Sequence, residues 1–402
     1  MTTTTSSSWI CSLIPICLIC FLYLCALNLF LCATNSLIYT TVCLLHANQS
    51  FCSDIDQNKT LQEFQEDIQK EASDWSLFGT LSFALISCFA SPILGSLSDM
   101  KNRKYPIVLT ISNAILTGLI ITIGSIFQGR QIALYLYLTA NIVNGFGGGS
   151  LILISSCFGY ATDRCTDKTQ HVQTIALIES SLNIGMVIGY MTCTFIFEAH
   201  ARIWIILLIH VFLLVIALFI SLAFLRSRPK AVREDISLLT RIKRSFVDIR
   251  DLFVDLKVNS LLVSFVILLL SLAFYEIYRM GSGSVFYLYL HKMTFTDSEY
   301  ARYFTFEQLG TFISLLFLAF IQRKWKINDI YLCLIGICLS SIGLGLLAFA
   351  TNKTMIFSAA ASMMFGLYYP VCLRTILIRI VPEKDKGLQK TISCFCRNNL
   401  NF

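Results

Sequence analysis

Residues 95–104 read Gly95-Ser96-Leu97-Ser98-Asp99-Met100-Lys101-Asn102-Arg103-Lys104, and Tyr105-Pro106 follow. Three basic residues and one acid fall between Asp99 and Lys104, and long apolar runs flank the stretch on both sides. Apolar runs of about 20 residues cross a bilayer as helices. A turn this short joins two such helices as antiparallel neighbours on one side of the membrane. Its excess of Lys and Arg puts that side in the cytoplasm. Every other loop is oriented from this one.

Composition agrees. Of 402 residues, 56% are hydrophobic and 14% charged, and the mean hydropathy is +0.70. Soluble domains carry about a quarter charged residues, so this is a polytopic membrane protein. The net charge of +7 is spread over alternate loops and forms no single patch, which speaks against a nucleic-acid partner. Most of the 16 cysteines lie inside apolar runs, as Cys17, Cys20, Cys25, Cys157 and Cys193 do, and serve there as small hydrophobes. No Cys spacing resembles a zinc site, and with five scattered histidines no metal centre is expected. The first eight residues lack a positive segment, and the run after them is too long for a signal-peptide core. It is read as a retained first helix.

Ten runs reach spanning length: 10–33, 75–97, 106–126, 132–158, 173–196, 203–225, 260–289, 303–321, 328–350 and 355–380. In lipid only a helix pairs its own backbone groups within one segment, so the fold class is all-α. With the N-terminus inside, the inner loops hold 21 Lys and Arg and the outer loops 7, the bias expected of a correct orientation. Three glycosylation sequons, at Asn48, Asn58 and Asn352, all fall on the outer side. The outer loop 34–74 is acidic, with seven Asp and Glu against two Lys.

The basic inner segment 226–259 divides six runs from four. The chain therefore reads as an N-terminal six-helix bundle over 1–225, a cytoplasmic linker over 226–259, and a four-helix C-terminal bundle with a tail over 260–402. In the linker Leu239, Ile242, Phe246, Ile249, Phe253 and Leu256 recur at three- and four-residue steps. They form one apolar stripe, either on a helix lying on the inner leaflet or on a plain spacer helix. Gln322-Arg323-Lys324-Trp325-Lys326 stands in the second bundle where Asp99–Lys104 stands in the first. That is the layout of a transporter built from two parallel repeats. The usual count for such a pair is twelve helices, and the second repeat here supplies four.

Gly95-x-x-x-Asp99-x-x-x-Arg103-Lys104 resembles the inner-loop signature of the major facilitator superfamily. Longer stretches are similar to its proton-coupled folate transporter family, solute carrier family 46. They are Asp74-Trp75-Ser76-Leu77-Phe78, Gly147-Gly148-Gly149, Tyr160-Ala161-Thr162-Asp163, Thr174 through Glu179, Gly185, Pro370 through Arg374, and Glu383 through Gly387. The resemblance covers about residues 10–390 and implies a two-bundle fold that works by alternating access. The family pairs a cysteine of the first outer loop with one at the outer end of the seventh helix. Cys52 matches the first, but Phe295 stands at the second, and Cys43–Cys52 is the other pairing open to the chain. A family histidine linked to proton coupling is replaced by Tyr278, beside Arg279.

Ionisable residues inside spanning runs are functional candidates, since a charge at mid-bilayer costs about 2.5–3.5 kcal/mol on insertion scales. Glu179 lies among Ile175, Leu177 and Ile178, where burial favours the protonated carboxyl, and the resemblance implies proton coupling there. Arg374 matches a family arginine needed for transport and is the candidate for an anionic solute group. Glu276 and Arg279, three apart in one run, either join substrate binding or neutralise each other. Asp99 and Arg103, with Asp163 after the fourth run, are the candidate gating network at the inner mouth. The glycines of 145–149 and Gly185-x-x-x-Gly189 are read as close helix packing within single helices, not as a phosphate loop. No nucleophile–base set argues for an enzyme.

The expected function is secondary transport of an organic solute, folate-like or another organic anion or conjugate. Protons are the coupling ion and no other cofactor is expected. The alternative is a shortened, non-transporting relative that binds or regulates a full-length transporter as a homo- or hetero-oligomer. Partners are the solute and the lipid bilayer; the location is the plasma membrane or a lysosomal or endosomal membrane.

Overall fold

The structure is a computed structural model that describes residues 5–54, 62–100, 103–162, 168–225 and, with short gaps, 250–376. Twelve helices are described. They are α1 (Thr5–His46), α2 (Gln49–Asp54), α3 (Gln62–Met100), α4 (Lys104–Ile126), α5 (Gln131–Phe146), α6 (Gly149–Thr162), α7 (Lys168–Glu198), α8 (Ile203–Phe224), α9 (Leu262–Lys292), α10 (Asp297–Trp325), α11 (Asp329–Ala348) and α12 (Lys353–Met363). No strand occurs among the described residues. The protein is an all-α polytopic membrane protein.

Each of the ten predicted runs is mostly helical where it is described; run 355–380 leaves the helix for a turn at 364–366, and two further corrections apply. First, run 132–158 is not one helix. It breaks between α5 and α6, where Gly148 and Gly149 take φ of +69° and +62°. That left-handed backbone is open to glycine and costly for other residues. The freed carbonyl of Gly147 accepts a 2.9 Å hydrogen bond from Thr110 of α4, as backbone inside a membrane requires. Second, the predicted outer loop 34–74 is mostly helix, because α1 continues to His46 and α3 begins at Gln62. Among the described residues seven segments are long and apolar enough to span, with α5 and α6 counted together as Gln131–Ala161. In α9 the described residues Leu262–Tyr275 form an apolar stretch.

The chain forms two compact units. One comprises Met1–Lys230 with Ser284–Thr305, the other Ala231–Gly283 with Phe306–Phe402. In the first, α1 is central: 72% of its spanning window is buried, against 17% for α3. Leu13, Ile16, Ile19, Tyr23 and Leu24 of α1 meet Ile107 and Ile111 of α4, Phe158 of α6, Ile178 and Leu182 of α7, and Leu214 and Ala217 of α8. A helix apolar on all sides belongs inside a bundle. Glycines set the closest approach, as the 185–189 spacing predicts. A Cβ on Gly185 would lie 2.5 Å from the backbone oxygen of Phe21, and one on Gly189 would lie 2.7 Å from that of Cys25.

In the second unit α11 and α12 also cross on glycine. A Cβ on Gly343 would lie 3.0 Å from the Ala359 carbonyl oxygen, and one on Gly336 would lie 2.9 Å from the Tyr369 nitrogen. Leu318 of α10, Leu332 and Cys333 of α11, and Tyr368 and Cys372 share a core. The Tyr368 hydroxyl donates to the Ser314 carbonyl at 2.7 Å, and the Ser314 hydroxyl donates to the Met364 carbonyl at 2.8 Å. Of the predicted linker stripe, residues 239–249 lie outside the described residues. Its last members, Phe253 and Leu256, pack with Phe265, Leu272 and Leu373. That end of the stripe is covered by protein.

Candidate functional site

The charged turn positions its side chains through helix ends. Arg103 precedes α4 and is half-buried, its guanidinium laid against the Cα of Gly159 in α6. A Cβ at Gly159 would come within 2.8 Å of Arg103 Nη1. Lys104 donates from Nζ to the Leu222 carbonyl at 2.7 Å, where a cation complements the negative end of α8. The structure thus brings the predicted gating arginine onto the end of α6. Asp163, just past α6, lies outside the described residues. Asp99 lies in the last turn of α3, and its side chain is outside what the structure describes.

Glu179 is half-buried on α7, one residue from Ile178, which is fully buried against α1. Asn183, one turn on, donates its amide to the Glu179 backbone carbonyl at 2.8 Å. A carboxylate therefore stands at the edge of the α1–α7 packing seam. Glu276 and Arg279 lie on α9 with undescribed side chains, and Arg374 lies outside the described residues.

The sequons are placed unevenly. Asn48 is exposed beside α2, and Asn58 is outside the described residues. Asn352 is exposed and caps α12, its Oδ1 accepting from Met355 N at 2.9 Å. That cap leaves Nδ2, the atom a glycan would take, uncommitted among the described contacts. Of the two cysteine pairings, the structure contains Cys43–Cys52, with a Cα–Cα distance of 6.0 Å. It ties the end of α1 to α2, and Phe295 is buried at 1% exposure.

One polar cluster was missed. It lies within the first unit, at the end of α1 and the α9–α10 turn. Thr296 and Glu299 form a reciprocal cap: Thr296 N donates to Glu299 Oε2 at 3.0 Å, and Glu299 N donates to Thr296 Oγ1 at 3.3 Å. The cap starts α10 with Asp297 in its first turn, where the helix end favours a negative charge. Three partners converge on that carboxylate. The Ser36 hydroxyl donates at 2.5 Å, the Tyr287 hydroxyl donates at 2.7 Å, and His291 Nε2 lies 3.2 Å away. Burial alone would raise the carboxyl's pKa. The His291 contact, then Ser36 and Tyr287, outweigh it and hold Asp297 below its ordinary range. Tyr39 flanks the histidine, with ring centroids 4.8 Å apart, and Asn35 donates to the Tyr300 hydroxyl at 3.4 Å. Nearby, Lys292 pairs with Glu66 at 3.1 Å and Arg302 with Glu198. The sequence signal was the Thr296-x-x-Glu299 capping box, which marks the helix start without revealing Ser36 as a partner. Among the described residues no cluster of metal-ligating side chains occurs.

Residues 60–392 match the Major Facilitator Superfamily. The human lysosomal proton-coupled steroid conjugate and bile acid symporter SLC46A3 is 26% identical over 354 residues, covering 85% of this chain and 74% of that protein. The chicken protein of the same name is 24% identical over 366 residues, covering 87% of this chain and 75% of its own. The bovine proton-coupled folate transporter is 22% identical over 354 residues, covering 84% and 72%. Among solved structures, a mutant form of the nucleoside transporter NupG aligns at a TM-score of 0.63 with 11% identity, over 97% of this chain and 88% of that one. The human organic anion transporter MFSD10 aligns at 0.57 with 13% identity, over 97% and 89%. At these identities the structural likeness speaks for the fold alone. The matched proteins are transporters, not enzymes.

Proposed function

We propose that this chain, which belongs to the Major Facilitator Superfamily, moves an organic anion or conjugate across a membrane together with protons, by alternating access. The observation that carries the reading is Glu179, a half-buried carboxylate on the apolar helix α7, in a chain whose sequence relatives are named as proton-coupled. A carboxyl that has taken up a proton is neutral. It then crosses between the two faces at lower electrostatic cost than a carboxylate. Protonated Glu179 with a bound anion carries one negative charge fewer than ionised Glu179 with the same anion. That difference is the physical basis of symport.

Named substrates of the relatives supply the solute class. Steroid conjugates, bile acids and folate combine an anionic group with a ring body. Arg374 is assigned to the anionic group and Glu276 with Arg279 to the same path, on the resemblance alone. Arg103 on α6, with Asp99 and Asp163, is assigned to the inner gate. The apolar side chains that α3 exposes, Phe78, Leu81, Leu85 and Phe89, suit contact with lipid. The location proposed is the plasma membrane or a lysosomal or endosomal membrane, with the N-terminus in the cytoplasm.

The test is uptake of radiolabelled cholate, folate and a steroid sulfate into proteoliposomes under an imposed pH gradient. Acid on the uptake side should accelerate accumulation of at least one of them, and a proton ionophore should abolish the acceleration. Glu179→Gln should lose gradient-driven accumulation while retaining solute exchange. Gradient-insensitive uptake by the native chain would sink proton coupling; retained coupling in Glu179→Gln would sink the assignment of that residue.

A further inference from the structure

His210 lies in the middle of α8 and is 3% exposed. Its Nδ1 is 2.7 Å from the carbonyl oxygen of Ala26 on α1. A carbonyl only accepts, so Nδ1 carries the proton, and in a neutral imidazole Nε2 is then a bare acceptor. Nε2 is buried and makes no hydrogen bond. The Ala114 carbonyl also faces the ring, but not in hydrogen-bonding geometry.

The ring is held in place on two sides. Phe30 of α1 lies against it with centroids 5.0 Å apart. On the α4 side, a Cβ on Gly118 would lie 2.7 Å from Cδ2 and 2.9 Å from Nε2. On that same side Ala114 and Thr117 border a small cavity of about 20 Å³, which Tyr23, Phe30, Asn144 and His210 also line. The Thr117 hydroxyl is already engaged with the Ala140 carbonyl, at 3.4 Å. Tyr23 of α1 and Asn144 of α5 are among the residues that line the cavity, and neither hydrogen-bonds Nε2. No Asp, Glu, Lys or Arg is among the lining residues.

A fixed acceptor, buried beside empty space and short of a donor, is half of a binding site. We infer that this cavity takes a guest hydroxyl, which donates to His210 Nε2. Two sources carry the same chemistry: a trapped water, or a hydroxyl of the transported solute. The second source rests on the transporter reading and the first does not. Buried waters bind where several polar groups converge on a cavity. A site that hydrogen-bonds a solute hydroxyl also discriminates against a solute that lacks it.

The experiment is solid-state NMR on the full chain in lipid bilayers, with 15N-labelled histidine. The sequence has five histidines, and the His210 signal is found as the difference against His210→Phe, which keeps a ring of similar size. Should that variant not fold, backbone correlations through Ile209 and Val211 assign the residue instead. The expected result is a protonated Nδ1 and an accepting Nε2, with a through-space contact from Nε2 to an exchangeable proton. A contact to water that persists when cholate is added identifies trapped water. A contact that moves to a cholate hydroxyl identifies the solute. A protonated Nε2 at neutral pH, donating to the Ala114 carbonyl, overturns the inference. So does an Nε2 without any exchangeable-proton contact in either sample. The readout needs no transport, so failed uptake and an empty cavity are told apart.

Discussion

Replacing Gly185 by Ala tests the packing on which the first unit rests. The new Cβ would stand 2.5 Å from the Phe21 backbone oxygen, whereas ordinary contact begins at 3.4 Å. The obstacle is main chain in the middle of α1, so no rotamer change relieves it. The helices must part by about 0.9 Å, and they do so at the most buried seam of the unit. Overpacking of a well-packed core costs about 1–3 kcal/mol, and a rigid partner puts this case near the top. Exchange of Gly for Ala within a helix returns about 1 kcal/mol. The expected net loss is therefore about 2 kcal/mol.

Gly345 of α11 is the control, because nothing lies within 4 Å of its added Cβ. There only the propensity gain remains, about 1 kcal/mol at most. At about 2 °C per kcal/mol, the low end of the range for larger chains, Gly185→Ala melts about 4 °C below the native protein. Gly345→Ala melts at or slightly above it. Melting of the detergent-purified variants by intrinsic fluorescence gives the comparison. Gly185→Ala melting level with Gly345→Ala would refute the close-contact argument. Rescue of Gly185→Ala by Phe21→Ala would move the clash from the α1 backbone to a side chain.

Other changes read other parts of the structure. Gly148→Ala forces a left-handed φ on a residue with a Cβ, and should cost roughly 1–2 kcal/mol in the same melts. Asn352→Ala removes the α12 cap, about 1 kcal/mol, and hydrogen exchange of the Met355 amide should quicken accordingly. Gly159→Ala should push the Arg103 guanidinium aside and slow uptake as Arg103→Ala does, with little change in melting, since the displaced group ends a flexible side chain. Asp297 has a lowered pKa, so its contribution to stability is complete above the ordinary carboxylate value of about 4 and is lost as pH falls through the lowered one. The melting difference between the native protein and Asp297→Asn should be flat above about pH 4 and should shrink below it.

Sequence patterns revealed what depends on neighbours along the chain. The charged turn at Asp99–Lys104, the apolar runs and the Gly185–Gly189 spacing all speak through local order. Each has a structural counterpart in the ends of α3 and α4, the long helices and the α1–α7 seam. The break at Gly148 was hidden because hydropathy is continuous across it, and glycine serves packing and turning equally well in a sequence. The helical ends of the 34–74 segment were hidden for a related reason. Apolar length marks where a bilayer is crossed, not where backbone pairing stops. His210 was one of five scattered histidines; only the fold sets its Nδ1 against Ala26, 184 positions away.

Asp297 and Glu179 show why the missed carboxylate changes the reading of the found one. Both are acidic side chains in an apolar protein, and sequence patterns favour the one inside a spanning run. Asp297 has Ser36, 261 positions away, together with Tyr287 and His291 around it. Donors on that scale stabilise the anion and resist its protonation. A carboxylate so held is a poor proton carrier near neutral pH and a good clasp between α1 and the α9–α10 turn. The capping box that starts α10 fixes its position further. On the proposed reading, coupling is assigned to the acidic side chain in the spanning helix, Glu179. The two roles separate in one comparison. Asp297→Asn should lower the melting temperature and leave gradient-driven uptake coupled, while Glu179→Gln should uncouple uptake with little loss of stability. The reverse pattern would exchange their assignments.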